Sequence, residues 1–410
     1  MRAVYSFSVK LYSLLIHVAA LLGNKKAALW VNGRQNWEQN LSQINPTNKK
    51  VTWVHAASLG EFEQARPIIE EIKKNEPEEF ILVSFFSPSG YEVRKNYDQA
   101  DKVIYLPIDS TENAKKFLEL ARPRKIFFIK YEFWFNYLHQ ISLQKIDCYL
   151  VSGIFRKNQH FFKFYGSWFK KQLTAFSHFF VQNKESAELL GSVGYKNTSI
   201  TGDTRLDRVL AISKESYSES RLDSFSKDSD VIIFGSSWEK ENEFALNFSK
   251  TSSTKNKIII APHEINLGKI GELKNEFHSC KLLSETDPNE DLSALKVLII
   301  DKIGILSFLY RYGKIAVIGG GFGAGIHSTL EAVAYNCPVI FGPNYVKFQE
   351  AHDLLSIGAG FCVKNQEEFT QTLDNLAKEL NYKEAVESCK HYISHHTGAT
   401  KSILNHIYKK

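Results

Sequence analysis

After position 50 the chain alternates between two kinds of segment. Short β-rich apolar runs lie at Val51–Ala56, Phe80–Phe85, Lys102–Leu106, Lys125–Ile129, Cys148–Val151, His178–Gln182 and Thr198–Thr201. Amphipathic stretches such as Glu61–Lys74 and Thr111–Ala121 separate them. Such alternation predicts βαβ units around a parallel sheet. Between Asp203 and Asp230 the chain turns polar and Ser-rich, the composition of a linker. The alternation then restarts at Val231–Gly235, Lys257–Ala261, Val297–Ile300, Lys314–Ile318, Pro338–Phe341 and Gly360–Val363, and Gln366–Lys410 reads as helical throughout. The pattern predicts an α/β protein of two doubly wound domains. In such sheets ligands bind beyond the carboxyl ends of the strands, so the loops after the strands are where chemistry is expected.

The first residues follow another pattern. Ala3–Leu22 is mostly apolar, and at about 1.5 Å per residue a helix of that length is about 30 Å long, enough to span a bilayer. Its polar residues Ser6, Lys10, Ser13 and His17 are four, three and four positions apart, which puts them on one helical face. Val4, Phe7, Leu11, Leu14, Leu15, Val18 and Leu22 fill the rest of the wheel. A polar stripe suits a helix lying in the membrane interface, or packed on protein, better than a free spanning helix. Lys10 breaks the apolar run and no A-x-A cleavage pattern follows, which disfavours a signal peptide.

Charge sharpens this picture. The chain of 410 residues carries a formal net charge of +6. Arg2, Lys10, Lys25, Lys26, Arg34, Lys49 and Lys50, against Glu38 alone, place that whole excess in the first 50 residues. The rest balances, which argues against a general nucleic-acid binder and for one charged end facing an anionic membrane surface. From Cys148 through Lys184 there is no acid, while Arg156, Lys157, Lys163, Lys170, Lys171 and Lys184 interleave with Phe155, Phe161, Phe162, Phe164, Tyr165, Trp168 and Phe169. This mixture suits a phosphorylated glycolipid at an interface, single-stranded nucleic acid, or a solvated amphipathic helix. Next to a membrane-seeking helix, the lipid reading is preferred. Five scattered cysteines with no C-x-x-C fit a reducing compartment.

Three loops carry candidate chemistry. The first strand runs into His55-Ala56-Ala57-Ser58-Leu59-Gly60-Glu61. Ser58 and Glu61 have the S-x-x-E spacing of a capping box, so Glu61 has a purely structural reading. It also has a chemical one: the helix dipole favours a negative charge there, and a carboxylate within hydrogen-bond reach of a hydroxyl acts as a general base. The second is Gly319-Gly320-Gly321-Phe322-Gly323-Ala324-Gly325-Ile326-His327-Ser328-Thr329-Leu330-Glu331, placed between a strand and a helix. Its glycines permit close approach to a ligand, Ser328 or Thr329 is positioned to cap the helix toward an anion, and Glu331 can accept from ribose hydroxyls. A tight strand–helix turn explains the same residues, and the spacing is not the dinucleotide-binding fingerprint. Gly342-Pro343-Asn344, after the next strand, reads as a plain βα loop.

Taken together these segments resemble the Kdo transferases, GT-B glycosyltransferases that add 3-deoxy-D-manno-octulosonic acid (Kdo) to a lipid A precursor. Trp53–Glu61 looks like the family's opening motif, whose Glu is the catalytic base. Phe86-Ser87-Pro88-Ser89-Gly90-Tyr91 is similar to its Thr/Ser-Pro-x-Gly turn, and Tyr131-Glu132-Phe133-Trp134-Phe135-Asn136 to its Glu-x-Trp-Pro-Asn segment. Thr201–Asp207 resembles Gly-Asn-x-Lys-x-Asp, and Gly325–Glu331 resembles Gly-Gly-His-Asn-Pro-Leu-Glu. Gly235-Ser236-Ser237-Trp238 and Ala261-Pro262-His263 fall at two donor-site loops. The chain departs from the pattern where Pro-Arg-His becomes Pro262-His263-Glu264, where Lys130 stands for a common Glu, where Phe135 replaces Pro, and where Ser328-Thr329 replaces Asn-Pro.

The resemblance implies a GT-B architecture of two Rossmann-like domains facing a cleft. The expected layout is a membrane-associated helix at 1–24, an acceptor domain at 25–205, a linker at 206–229, a CMP-Kdo-binding domain at 230–380, and C-terminal helices at 381–410 crossing back to the first domain. It implies inverting transfer from CMP-Kdo to a lipid A precursor at the cytoplasmic face of the inner membrane, with no metal or other cofactor and no nucleic-acid partner. Glu61 is then the base, with Ser58, Gly60, Glu132 and Asn136 on the acceptor side. Arg205, Ser236, Ser237, Pro262, His263, Gly320, Gly321, Gly323, Gly325, His327, Ser328 and Glu331 are implied on the donor side. Two alternatives stay open: a GT-B transferase using a UDP- or GDP-sugar, and a non-catalytic membrane-bound nucleotide-sugar binder. The oligomeric state is left open as well.

Overall fold

The computed structural model describes residues 1–43, 50–253 and 255–408; Lys49 of the basic N-terminal set lies outside them. The chain divides into two units, Met1–Asp207 with Gly398–Lys410, and Arg208–Thr397.

The first unit holds a seven-stranded sheet of β1 (Val51–Ala56), β2 (Phe80–Phe85), β3 (Lys102–Tyr105), β4 (Lys125–Ile129), β5 (Asp147–Gly153), β6 (His178–Val181) and β7 (Thr198–Ile200), in the order β3-β2-β1-β4-β5-β6-β7. The second holds β8 (Asp230–Ser237), β9 (Asn256–Pro262), β10 (Cys280–Leu282), β11 (Val297–Ile299), β12 (Ile315–Ile318), β13 (Val339–Phe341) and β14 (Gly360–Cys362), in the order β10-β11-β9-β8-β12-β13-β14. Every neighbouring pair is parallel. Helices cover both faces, so the central strands are buried throughout; all residues of β1 and β2 are inside. Thirteen of these strands follow the apolar runs. The fourteenth, Cys280–Leu282, lies in the polar stretch His-Ser-Cys-Lys and has no such run to announce it.

The helices in chain order are α1 (Arg2–Leu21), α2 (Lys25–Asn32), α3 (Trp37–Ser42), α4 (Leu59–Asn75), α5 (Pro88–Arg94), α6 (Thr111–Ala121), α7 (Phe135–Gln144), α8 (Ser167–Gln172), α9 (Lys184–Ser192), α10 (Arg205–Lys214) and α11 (Ser220–Ser226). Then follow α12 (Glu239–Thr251), α13 (Leu267–Glu276), α14 (Leu306–Leu309), α15 (Leu330–Val333), α16 (Gln349–Ser356), α17 (Gln366–Leu376), α18 (Glu379–His396) and α19 (Ala399–Ile407). The 206–229 segment read as a linker carries α10 and α11, and α11 buries Leu222 and Phe225 in the second unit. The final helix α19 belongs to the first unit. Ile403 and Leu404 join the core beneath α4, and Tyr408 donates to buried Glu79 at 3.1 Å. Asp207 caps this helix by accepting from the N–H groups of Gly398 and Thr400 at 2.5 and 2.6 Å. That is a structural use for the last residue of the Thr201–Asp207 motif.

The N-terminal helix α1 is amphipathic in an inverted sense. Half of its polar stripe faces the protein, with Ser13 buried and Ser6 half-buried beside half-buried Arg2 and Tyr5, while Lys10 and His17 are exposed. Its apolar side faces outward, with Val4, Phe7, Leu11, Leu14, Leu15, Val18 and Leu21 all exposed. A helix stabilised only by its domain would bury the opposite face.

Candidate active site

Each sheet changes direction once. In the first unit the neighbouring strands β1 and β4 lead to connections on opposite sides, and in the second β8 and β12 do so. Such switch points open a crevice beyond the strand ends, where ligands of this fold class bind. The loops singled out by sequence sit at these two places. Backbone strain gathers there as well: Lys130, one residue past β4, has φ 68°, and Ser236, in a bulge at the end of β8, has φ 52°.

At the β1 end, Ser58 is the N-cap of α4 in an extended conformation, yet its side chain accepts no backbone hydrogen bond. Its hydroxyl donates to the Glu61 carboxylate instead. The S-x-x-E pair therefore does not form the reciprocal capping box. Glu61 is half-buried in the first turn of the helix, with exposed Gly60 beside it.

Across the crevice, past β4, Glu132 closes a buried polar network. The Trp53 indole donates to Ser84 Oγ at 2.7 Å, and His55 Nδ1 lies 2.8 Å from the same oxygen. His55 Nε2 is 3.3 Å from Glu132 Oε2, and the Trp134 indole N–H reaches Glu132 Oε2 at 2.6 Å and His55 Nε2 at 2.9 Å. His55 is fully buried and Glu132 nearly so. Such a network fixes the Glu132 carboxylate far more tightly than a surface side chain. Sequence reasoning placed no role on His55; the available signal was a histidine inside a strand whose neighbours are all buried. Tyr131 is flanked by cations, with Lys130 Nζ at 5.0 Å and Arg156 Cζ at 5.6 Å from its ring.

Two expected site residues have internal partners. Asn136 is buried, donating to the Asp109 carbonyl at 2.7 Å, while Arg2 and Thr111 approach its Oδ1 at 3.4 and 3.3 Å. Arg205 belongs to the first unit and clasps Asp203, with Nη2 at 2.6 Å and Nε at 2.9 Å. Burial alone would raise the Asp203 pKa, but Arg205 and the amide of Gln64 at 3.1 Å outweigh it and hold the carboxyl below its ordinary value.

In the second unit, several glycines of the 319–325 loop serve the fold itself. A side chain at Gly319 would strike the Ser236 carbonyl, one at Gly321 would strike the Gly342 backbone, and Gly320 has φ 88°. Gly325 has φ 141°, while the Gly323 N–H donates to the Gly320 carbonyl at 3.0 Å and its own carbonyl accepts from Asn344 at 2.8 Å. Facing this loop is Glu241 of α12, almost wholly buried, which accepts from Trp238 N at 3.1 Å. Burial raises the Glu241 pKa, opposed by the N–H groups of Trp238, Glu241, Gly320 and Gly321. An internal carboxylate thus occupies part of the loop's donor set. The expected helix from Ser328 begins instead at Leu330 and is four residues long, and Thr329 makes no side-chain cap. So short a helix adds little dipole to the site. Glu331 is half-buried within the electrostatic reach of Tyr310 and Tyr335.

Ser237 is buried, and its hydroxyl has no hydrogen-bond partner among the described residues. Above it three aromatic rings stack. His263 lies 4.8 Å from Trp238 and 4.2 Å from His327, and the Trp238 indole donates to His327 Nε2 at 3.2 Å. Burial, then His263, pushes the His327 pKa down to about 4. At neutral pH His327 is therefore an uncharged acceptor. His263, standing where the resemblance expects Arg-His, is an exposed ring of this stack. A cavity of about 370 Å³ opens behind Ser237 and Pro262, but Glu239, Glu243, Glu264, Glu272 and Glu276 line it against one Lys269, so it does not suit an anion. Among the described residues no group of three or more His, Cys, Asp or Glu side chains is placed to hold a metal ion.

A family profile described as "3-Deoxy-D-manno-octulosonic-acid transferase (kdotransferase)" matches residues 35–208. The 3-deoxy-D-manno-octulosonic acid transferase of Aquifex aeolicus (strain VF5) is 31% identical over 353 residues, covering 83% of this chain and 91% of that one. The enzyme of the same name from Rickettsia bellii (strain RML369-C) is 26% identical over 404 residues, covering 94% and 92%. Among solved structures, UDP-GlcNAc 2-epimerase from Neisseria meningitidis bound to UDP-GlcNAc aligns with a TM-score of 0.62 at 17% identity, covering 88% of this chain and all of that one. At that identity the likeness concerns the fold alone.

Proposed function

The chain belongs to the 3-deoxy-D-manno-octulosonic acid transferase family and is a glycosyltransferase, and from that premise we propose that it moves Kdo from CMP-Kdo to a lipid A precursor with inversion at the anomeric carbon. The observation that carries this reading is the placement of Glu61: a carboxylate in the first turn of α4, beside the β1/β4 switch point, oriented by the Ser58 hydroxyl.

In the proposed reaction Glu61 accepts the proton of an acceptor sugar hydroxyl. The oxygen forms a bond to the anomeric carbon of Kdo as the bond from that carbon to CMP breaks, and the electron pair leaves with the CMP phosphate. Glu132, fixed by His55 and Trp134, accepts from acceptor hydroxyls. Lys130 and Arg156, on either side of Tyr131, attract the phosphate of the acceptor. On the donor side the hydroxyl of Ser237, which has no partner among the described residues, and that of Ser236 donate to the leaving phosphate. Glu331 binds the ribose. The Trp238–His263–His327 stack offers an aromatic surface, with His327 as a neutral acceptor, in place of the family's arginine. No metal is assigned a role.

The acceptor is a membrane lipid, and the outward apolar side of α1 supports binding to the cytoplasmic face of the inner membrane. Lys10, Lys25 and Lys26, all exposed, meet anionic headgroups. The test is to incubate the full chain with CMP-Kdo and a lipid A precursor and read product mass. Added Kdo, with competition by CMP and none by UDP or GDP, is the expected result. Absence of any Kdo-bearing product refutes the reading.

A further inference from the structure

The inner face of α1 makes contacts that membrane attachment does not require. Tyr5 donates its phenol to Asp109 Oδ2 at 2.6 Å. The same carboxylate accepts from the backbone N–H of Asn136 at 3.1 Å and of Tyr137 at 3.0 Å, so it caps the N-terminus of α7. Ring contact reinforces the link, since Tyr5 packs edge-on against Phe135 with centroids 4.9 Å apart. A second line runs from the same helix. Tyr12 stacks over Phe86 at 6.2 Å, and Phe86 lies 4.6 Å from Trp134. Trp134 is the N-cap of α7 and the residue that hydrogen-bonds Glu132 and His55. Two independent contact lines from α1 therefore converge on one turn, the turn that carries Glu132.

We infer that α1 is a positioning element of the acceptor site as well as a membrane contact: Tyr5, acting through Asp109 on the first turn of α7, sets the Glu132–Trp134 turn. The inference rests on the reading that Glu132 faces the acceptor. It gives the inverted amphipathicity of α1 a reason. Tyr5 and Tyr12 hold the site, and the exposed apolar side is left for the bilayer. Lipid engagement and site geometry thereby share one rigid helix.

A pH signature follows from the geometry. Asp109 is buried and its pKa is pushed up to about 6 by that burial, opposed by the Tyr5 phenol, the Asn136 and Tyr137 N–H groups and Arg2. The other charged and titratable groups around it are the Tyr137 phenol on α7, the Arg34 guanidinium acting on that phenol, Glu132 acting on Tyr5, and Glu112 on α6, which shares the field of Arg2. The cap needs the ionised carboxylate with both oxygens accepting. It weakens as pH falls through about 6.

The experiment uses the full chain as Tyr5→Phe and Asp109→Asn, with no vesicles and a short-chain, water-soluble acceptor analogue. Amide hydrogen exchange is followed across residues 132–138, and vesicle binding is measured separately. Tyr5→Phe keeps the ring and removes one hydrogen bond to a charged group. It is expected to lower kcat/KM and speed exchange in 132–138 by about tenfold. Removing a donor that holds the Asp109 pKa down moves the acid limb of the rate profile up by about half a pH unit. Asp109→Asn abolishes that limb. Vesicle binding stays as in the parent chain, because Tyr5 is on the inner face. Parental exchange in both variants overturns the inference, as does a parental rate with an unmoved acid limb. If the parent chain transfers no Kdo at all, the functional reading fails, while the exchange measurement still decides this inference.

Discussion

The outward face of α1 is the feature most open to a quantitative test. Leu14 and Leu15 are adjacent on it, each 59% exposed. Full burial of a leucine is worth about 1.5–3 kcal/mol, so seating the exposed part of each in acyl chains is worth roughly 1–1.5 kcal/mol. Replacing both with Gln, which has nearly the same helix propensity as Leu, removes about 2–3 kcal/mol of partition free energy without weakening the helix. That corresponds to roughly 30- to 150-fold weaker vesicle binding. The assay is sedimentation of the full chain with vesicles of mixed zwitterionic and anionic lipid at fixed salt. A far-ultraviolet circular dichroism spectrum accompanies it to show that the fold is kept. The parent chain should also lose affinity as salt rises, because Lys10, Lys25 and Lys26 are screened, and the variant should keep that slope. A change of less than about threefold in binding would mean that the apolar face does not meet lipid.

Two further outcomes follow from the contacts. Asp207→Ala strips two hydrogen bonds from the start of α19 and should cost about 1–2 kcal/mol. The expected readout is a melting temperature lower by about 2–4 °C with faster amide exchange in 399–407; unchanged exchange there would contradict the cap. His327 should remain neutral down to about pH 4 when its ring protons are followed by NMR, because burial and then His263 disfavour its charge. The ordinary value is 6.5, so the unfolded chain takes up this proton first and the group's effect is to lower stability as pH falls from about 6.5 toward 4. A midpoint near 6.5 would contradict the packed stack.

The sheets were legible because parallel strands covered on both faces must be written as continuous apolar runs, and thirteen of fourteen are. Cys280–Leu282 escaped because its three residues include Lys281 and sit at a sheet edge, where little burial is demanded. The helices α10 and α11 hid in a Ser-rich stretch because few of their residues, Leu206, Leu222 and Phe225 among them, are buried. In the site, the Ser58 and Glu61 pairing could be read from spacing, but not which group the serine hydroxyl would choose. Long-range contacts were beyond spacing altogether. The approach of Glu241 to Gly320 and Gly321 spans about 80 positions, and that of Tyr5 to Asp109 spans 104. The polar stripe of α1 was legible, whereas the face it presents to the protein depended on partners in the α6 and α7 turns.

One comparison decides whether Glu61 is the base of a Kdo transfer. Glu61→Gln keeps the size and one hydrogen-bond acceptor of the side chain but cannot take a proton at neutral pH. In a single-turnover reaction with labelled CMP-Kdo and a lipid A precursor, the parent chain is expected to form Kdo-bearing lipid. The variant is expected to bind CMP-Kdo with nearly parental affinity and form none. Near-parental transfer by Glu61→Gln would show that another group takes the proton.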